Sequence, residues 1–233
     1  WKDNFGNMAW SKNNISIQDN AAPVLYKSEY FDIDWNNKID KVIWYFSENI
    51  SWFNIWDFAI SWFTKKSWNS TLNTVEFELN ENSWDYQTNI SSNLVYIKWS
   101  IQDLSWNIAF SKSITISDKV NPIIVKREAF DKTWNWKLDL IKLDLSEDIW
   151  NDFTSFNFVV DWFNISSYDK SCWNANNICI NLIERPVIDT EITPKTRIST
   201  NSSVVDLNWN FLKLEDSLIE STIDKMWPVI LSA

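Results

Sequence analysis

The chain has 233 residues, which is long enough for two domains of ordinary size. It carries 21 Lys and Arg against 31 Asp and Glu, and this formal charge of −10 argues against electrostatic binding to nucleic acid or to an anionic membrane. Histidine is absent, which excludes Ser-His-Asp catalysis, Cys-His catalysis and imidazole metal sites.

A sequence repeat organises the chain. Ala22-Pro23-Val24-Leu25 recurs as Asn121-Pro122-Ile123-Ile124 and begins again at Trp227-Pro228. Such self-similarity indicates a tandem array of one structural unit. We therefore predict the end of a preceding repeat at 1–20, a first repeat at 21–119, a second repeat at 120–225 and the start of a following repeat at 226–233.

The predicted elements are β-strands throughout. Hydrophobic and polar residues alternate in short runs, and turn-forming Asn, Ser and Asp separate these runs. About seven strands in about 100 residues are typical of a β-sandwich. We predict an all-β fold of tandem Greek-key β-sandwiches with these residues facing inward: Val42, Trp44, Phe46, Val75, Phe77 and Leu79, then Ile141, Leu143, Leu145, Ile178, Ile180 and Leu182.

An acidic loop follows the first predicted strand of each repeat. Oxygen-bearing residues stand at alternate loop positions, as in loops that wrap Ca²⁺, and the residue at position 7 offers its backbone carbonyl. Position 12 departs from the helix-loop-helix pattern, since it is Ile43 or Lys142 and not Glu. The alternative is a turn that the Asp and Asn side chains cap. The candidate ligands are Asp32, Asp34, Asn36, Lys38 and Asp40, and in the second repeat Asp131, Thr133, Asn135, Lys137 and Asp139.

Further acidic residues recur near the repeat boundaries. Asp19, Asp118 and Asp224 each precede the next proline, and we expect exposed hinge acids there, with an interdomain cation as the alternative. Ser-Glu pairs end the second strand of each repeat at Glu48 and Glu147, and we expect these to be exposed charges, with a position facing a neighbouring repeat as the alternative. Asp103 and Asp206 begin matching turns, which we expect them to cap.

Tryptophan stands where glycine is expected. The chain has one glycine and 18 tryptophans, whereas glycine usually makes up about 7% of a chain. Gly6 aligns with Trp106 and Trp209 in the repeated Asp-x-x-Gly-Asn turn, and Trp136 occupies the sixth loop position, where glycine makes a sharp bend. We expect most tryptophans to be mistranslations of UGA in a bacterium that reads this codon as glycine. The exceptions align with hydrophobic positions and are predicted to be core aromatics: Trp10, Trp44 and Trp56.

The two cysteines belong to the second repeat alone. Cys172 and Cys179 flank a predicted hairpin turn, and this spacing fits a local disulfide in an oxidising compartment.

The unit resembles the bacterial immunoglobulin-like domains that stand in tandem on surface and S-layer-type proteins. The likeness rests on Pro23 and Pro122, on Phe46-Ser47-Glu48, and on Asp103-Leu-Ser-Trp106-Asn107, where the family form is Asp-x-Ala-Gly-Asn. It covers nearly the whole chain. The resemblance implies an exported, non-enzymatic spacer or adhesive array whose partners are neighbouring repeats.

Two functions follow as expectations. The first is a structural spacer of a large secreted or cell-surface protein, with no catalytic residues, stiffened by calcium in the acidic loops. The second is an adhesin or carbohydrate-binding module that uses exposed aromatic rings to contact a cell-surface protein or glycan. No apolar run approaches the ~20 residues of a membrane helix, so we expect no membrane insertion in this segment. With no initiator Met and no signal peptide, the chain is expected to be an internal piece of a longer protein.

Overall fold

A computed structural model describes residues 2, 4–6, 17–89, 94–97, 100–150, 158–170, 172–190, 192–194, 196–198, 204–213 and 222–228. These residues form an all-β structure without α-helices, which confirms the predicted fold class. The Greek-key connection order and the likeness to immunoglobulin domains stay predictions. Much of the predicted preceding repeat and most of the following one lie outside the described residues.

The described residues of the first repeat form ten strands and one short 3₁₀-helix at Ile55–Asp57. The strands are β1 (Leu25–Phe31), β2 (Lys41–Phe46), β3 (Ile50–Trp52), β4 (Phe58–Ala59), β5 (Lys65–Thr71), β6 (Thr74–Leu79), β7 (Leu94–Ile97), β8 (Gln102–Asp103), β9 (Lys112–Thr115) and β10 (Ser117–Asp118). One sheet has the order β10-β1-β2-β6-β5, a second has the order β4-β7-β9, and β3 pairs with β8.

The second repeat contains seven described strands. They are β11 (Ile124–Phe130), β12 (Leu140–Leu145), β13 (Phe158–Val160), β14 (Ile165–Lys170), β15 (Asn177–Leu182), β16 (Thr196–Ile198) and β17 (Ile223–Asp224). Its five-stranded sheet has the order β17-β11-β12-β15-β14, which corresponds strand by strand to β10-β1-β2-β6-β5 of the first repeat. In addition, β13 pairs with β16.

The register of the leading hairpin is the same in both repeats. Leu25 pairs with Phe46 and Ile124 pairs with Leu145, and in each case a bulge follows at the next residue. The last strand of each five-stranded sheet, β10 or β17, runs parallel to the first strand of its repeat. The same local sequence therefore produces the same pairing twice.

The described residues form two separate hydrophobic cores, one from residues between 25 and 120 and the other from residues between 124 and 226. All the side chains predicted to face inward are buried. In the first core the ring of Phe58, on β4, lies 4.8 Å from Trp44 and 5.1 Å from Phe77 between ring centroids. These contacts join the three-stranded sheet to the five-stranded sheet face to face, which gives the layers of a sandwich.

The predicted core tryptophans have different outcomes. Trp44 is completely buried, as predicted, whereas Trp56 is 74% exposed, so the prediction of a core aromatic there is wrong. Trp56 lies in the 3₁₀-helix that Asn54 caps, where the chain turns outward before β4. Trp10 lies outside the described residues.

Candidate metal centre

The acidic loop of the first repeat brings three of its predicted ligands together. Carboxylate oxygens of Asp32, Asp34 and Asp40 lie within 4.8 Å of one another. Loop amides already donate to them: the N–H of Asn37 lies 2.8 Å from Asp32 Oδ2, and the N–H of Ile33 lies 3.1 Å from both oxygens of Asp40. Burial raises the pKa of Asp32 and of Asp40, and these backbone hydrogen bonds oppose that rise.

Asn36 and Lys38, the other residues predicted to supply ligands from this loop, also contact protein groups. Asn36 Oδ1 accepts a hydrogen bond from the N–H of Lys38 at 3.0 Å, and Asn36 Nδ2 donates to Glu81 at 3.0 Å. The ammonium group of Lys38 lies 3.9 Å from the same glutamate. A positive charge therefore already faces the loop.

The loop of the second repeat has the same hydrogen bonds but fewer acids. Asp131 Oδ2 accepts from the N–H of Trp136 at 2.7 Å, and Asp139 accepts from the N–H groups of Lys132 and Thr133 at 2.8 and 3.0 Å. Asn135 Oδ1 accepts from the N–H of Lys137 at 3.1 Å. Because Thr133 stands where the first loop has Asp34, this loop offers one carboxylate fewer. The hydrogen bonds favour the capped turn, and cation binding by either loop stays a prediction of the sequence.

Asp103 and Asp206 cap their turns, as predicted, with identical geometry. Asp103 Oδ1 accepts from the N–H groups of Ser105 and Asn107, both at 2.8 Å, and Asp103 Oδ2 accepts from Asn107 Nδ2 at 2.8 Å. Asp206 makes the three equivalent bonds at the same distances to Asn208 and Asn210. Both aspartates are almost completely buried, so their carboxylates are held rigidly.

A second acidic group lies between the two repeats. Carboxylate oxygens of Asp118, Glu147 and Asp206 lie within 4.8 Å of one another, and the side chains are only 3%, 5% and 1% exposed. We call these three residues the junction cluster. Asp118 ends the first repeat, whereas Glu147 and Asp206 belong to the second, so the cluster forms only where the repeats meet.

Two oxygens of the junction cluster lack a hydrogen bond of ordinary geometry from the described residues, although the hydroxyl groups of Tyr30 and Thr88 interact with the Asp118 and Glu147 side chains and lower their pKa values. Asp118 Oδ1 accepts from the N–H of Val120 at 2.8 Å, but Asp118 Oδ2 and Glu147 Oε1 are buried without such a hydrogen bond within the described part of the chain. Burial raises the pKa of both side chains, and the negative charges of Asp118 and Asp206 raise that of Glu147 further. A buried carboxylate in these surroundings needs a proton or a cation.

The same three kinds of residue meet at the start of the first repeat. Carboxylate oxygens of Asp19, Glu48 and Asp103 lie within 4.8 Å of one another, and we call them the upstream cluster. Asp19 Oδ1 accepts from the N–H of Ala21 at 3.0 Å, as Asp118 does from Val120. Here Asp19 is exposed and Glu48 is half-buried. Burial, followed by the charges of Asp103 and Asp19, raises the pKa of Glu48.

The expected exposure of these acids is partly wrong. Asp19 and Asp224 are exposed, as predicted, whereas Asp118 and Glu147 are buried because the second repeat packs onto the end of the first. The sequence contained a signal for this arrangement, since the linker Asp, the Ser-Glu pair and the turn Asp recur together in both repeats. The repeated motifs showed that these three acids occur together in each repeat. They did not show that the acids of neighbouring repeats contact one another.

The predicted local disulfide is present. Cys172 and Cys179 are bonded, with their Cα atoms 6.0 Å apart, and the bond ties the loop after β14 to the middle of β15.

The described residues include no helix long and apolar enough to cross a membrane. Comparisons with protein-family models, with curated proteins and with solved structures find no match to this chain.

Proposed function

We propose that this chain is a non-enzymatic spacer segment of a large secreted or cell-surface repeat protein, in which successive β-sandwiches are held in a fixed relative orientation. One observation carries the proposal: the connection between the repeats is packed. Strand β10 ends at Asp118 and β11 begins at Ile124, and of the residues between them Val120, Pro122 and Ile123 are buried. A buried connection containing proline has little freedom to bend.

Hydrogen bonds from both repeats support the fixed orientation. Thr88 of the first repeat donates to Ser146 Oγ of the second at 2.7 Å, and Ser146 Oγ also accepts from the N–H of Ile123 in the connection at 3.1 Å. On another part of the junction, the ammonium group of Lys213 lies 2.9 Å from the carbonyl oxygen of Trp35 and 2.7 Å from Asn37 Oδ1. The second repeat thus contacts the first through two separate groups of residues.

Charge and redox chemistry support a location outside the cell. The net charge of −10 keeps an extended array soluble and self-repelling. The bond between Cys172 and Cys179 is of the kind that persists in oxidising compartments. These two properties suit a secreted or surface-exposed spacer.

Rigidity of the junction is the property to measure. Spin labels at Ser70→Cys and Asp169→Cys, both exposed, report the distance between the repeats by pulsed electron resonance under non-reducing conditions. The reference is the same labelled chain with Gly-Ser-Gly-Ser inserted between Asn121 and Pro122. We expect a distance distribution much narrower than that of the insertion variant. A native distribution as broad as that of the insertion variant contradicts the spacer proposal.

A further inference from the structure

The junction cluster contains more negative charge than its surroundings can neutralise. The ion pairs between described residues do not involve Asp118, Glu147 or Asp206. Three carboxylates in a buried pocket repel one another and lose their hydration, so they stay ionised only if a positive charge joins them. The described residues supply no cation to this cluster, so its charge is relieved either by a proton shared between Asp118 and Glu147 or by a bound cation.

Two oxygens of the cluster point to where that cation binds. Asp118 Oδ2 and Glu147 Oε1 come from different repeats, belong to side chains more than nine-tenths buried, and accept no hydrogen bond of ordinary geometry from the residues that the structure describes. The second carboxylate oxygen of Asp118 is fixed by the N–H of Val120, which orients the group. Asp206 is held by three hydrogen bonds from its own turn, so its position is also set before any ligand arrives.

Oxygens of the three carboxylates lie close enough together for one cation to contact all three. Calcium binds oxygen ligands at about 2.4 Å, so two oxygens around one ion are at most about 4.8 Å apart. The three carboxylates satisfy this limit, with oxygens within 4.8 Å of one another. Magnesium requires shorter bonds in a near-ideal octahedron and releases its water reluctantly, so the flexible coordination of calcium suits this pocket better.

We propose that Asp118, Glu147 and Asp206 bind a calcium ion between the two repeats, and this rests on the proposed spacer function, which the ion strengthens. Ligands from both sides of the connection tie the end of the first repeat to the second. The upstream cluster places the same three kinds of residue at the preceding junction, and its linker Asp19 is more exposed than Asp118. An array of such repeats would bind one ion at each junction.

Calcium titration of the metal-free full chain by calorimetry tests the site. The test variant is Glu147→Gln, which keeps the shape of the side chain, and the matched control is Glu78→Gln on an exposed part of β6. We expect the native chain and the control to bind one more calcium ion than Glu147→Gln. Asp118→Asn serves as a second variant if Glu147→Gln fails to fold, as judged by circular dichroism. Equal stoichiometry in the native chain and a folded junction variant overturns the proposal.

The distance measurement separates this inference from the spacer proposal. A narrow distribution in calcium-free buffer, together with unchanged stoichiometry in the junction variants, overturns the calcium site and leaves the spacer intact. Loss of one ion in the variants, together with a broad native distribution in calcium, supports the site and overturns the spacer. The calcium site and the spacer function can therefore be contradicted independently of each other.

A different observation carries a second inference, on the identity of seven residues. Nine non-glycine residues among those described have positive φ, and seven of them are tryptophans with φ between 61° and 75°. This left-handed region costs an ordinary residue about 1–2 kcal/mol and favours glycine. Gly6 has φ of 85° in the turn that aligns with Trp106 and Trp209, where φ is 70° and 69°. The other five are Trp35, Trp62, Trp134, Trp136 and Trp162.

The side chains of these tryptophans lie mostly in solvent, although Trp209 stacks on Trp150 at 5.7 Å and Trp134 lies 6.5 Å from Trp227 between ring centroids. All seven are at least 51% exposed, and Trp62 reaches 81%. The buried Trp44 behaves differently, since it packs between Phe58 and Phe77 and does not have positive φ. Packing therefore gives Trp44 a structural reason to be tryptophan, whereas the seven tryptophans at positive φ are exposed and their backbone conformation favours glycine.

The geometry points to glycine at these seven positions in the native protein, encoded by UGA and read as glycine by the host. Two tryptic peptides of the protein from its own host test this by tandem mass spectrometry. The peptide from Thr133 to Lys137 contains Trp134 and Trp136, and the peptide from Val42 to Lys65 contains Trp44 and Trp62. We expect glycine at 134, 136 and 62 and tryptophan at 44. Tryptophan at any of the first three positions overturns the inference and favours a module that binds through exposed aromatic rings.

Discussion

Lys213 Nζ lies 2.7 Å from Asn37 Oδ1, although 176 residues separate them in the sequence. Asn37 occupies the sixth position of the first acidic loop, and Lys213 follows the isolated bridge between Val205 and Phe211 in the second repeat. The acidic loop thus has a role in the contact between repeats that does not depend on a bound cation.

Removing this contact should loosen the junction. In Lys213→Met the ammonium group loses its bonds to the carbonyl oxygen of Trp35 and to Asn37, and we expect a broader distance distribution between labels on the two repeats. The free energy of unfolding should fall by about 1 kcal/mol. The matched control is Lys66→Met, whose side chain is 66% exposed. Equal distributions in the two variants would show that Lys213 does not restrain the repeats.

Glycine should stabilise the turns that hold tryptophan at positive φ. In Trp106→Gly the backbone strain that is relieved costs more free energy than the added conformational entropy of the unfolded chain. We therefore expect the free energy of unfolding, measured with urea, to rise by about 0.5 to 1 kcal/mol. Trp44→Gly is the contrasting variant, because it removes a completely buried side chain and should cost about 4 kcal/mol. A loss of stability in Trp106→Gly contradicts the assignment of this position to glycine.

The hydrogen bonds of the acidic loops should matter without calcium. Asp131→Ala removes the acceptors for the N–H groups of Asn135 and Trp136, and we expect a loss of about 1 to 3 kcal/mol in the free energy of unfolding. The loss should be equal in calcium buffer and in chelator, since the turn needs no ion. A loss confined to calcium buffer would instead establish the loop as a calcium site.

The disulfide should stabilise one repeat only. Cross-linking Cys172 to Cys179 closes a short loop, for which chain entropy gives about 2 kcal/mol. In Cys172→Ser/Cys179→Ser we expect faster hydrogen exchange in β14 and β15, with unchanged exchange in β5 and β6 of the first repeat. Faster exchange in both repeats would mean that the cores do not unfold separately.

Much of the fold could be predicted because its signals are local. Val42, Trp44 and Phe46 alternate with polar or half-buried neighbours, and a period of two places all three on the buried face of β2. The repeated turn motif also predicted that Asp103 and Asp206 cap their own turns, since an aspartate reaches backbone N–H groups two and four residues ahead. Trp56 shows the limit, because its exposure depends on a turn that alternation does not describe.

The sequence by itself determined the repeat, the strands and which acids recur beside each linker. Only the tertiary structure decided that Asp118 and Glu147 are buried and that their carboxylates come together with that of Asp206 at the junction. Burial and the pKa shifts that follow from it depend on which surface covers a side chain, and that surface belongs to another repeat. The backbone angle at Trp106 is likewise set by the closure of its turn, so the sequence indicated glycine there and the structure supplied the physical reason.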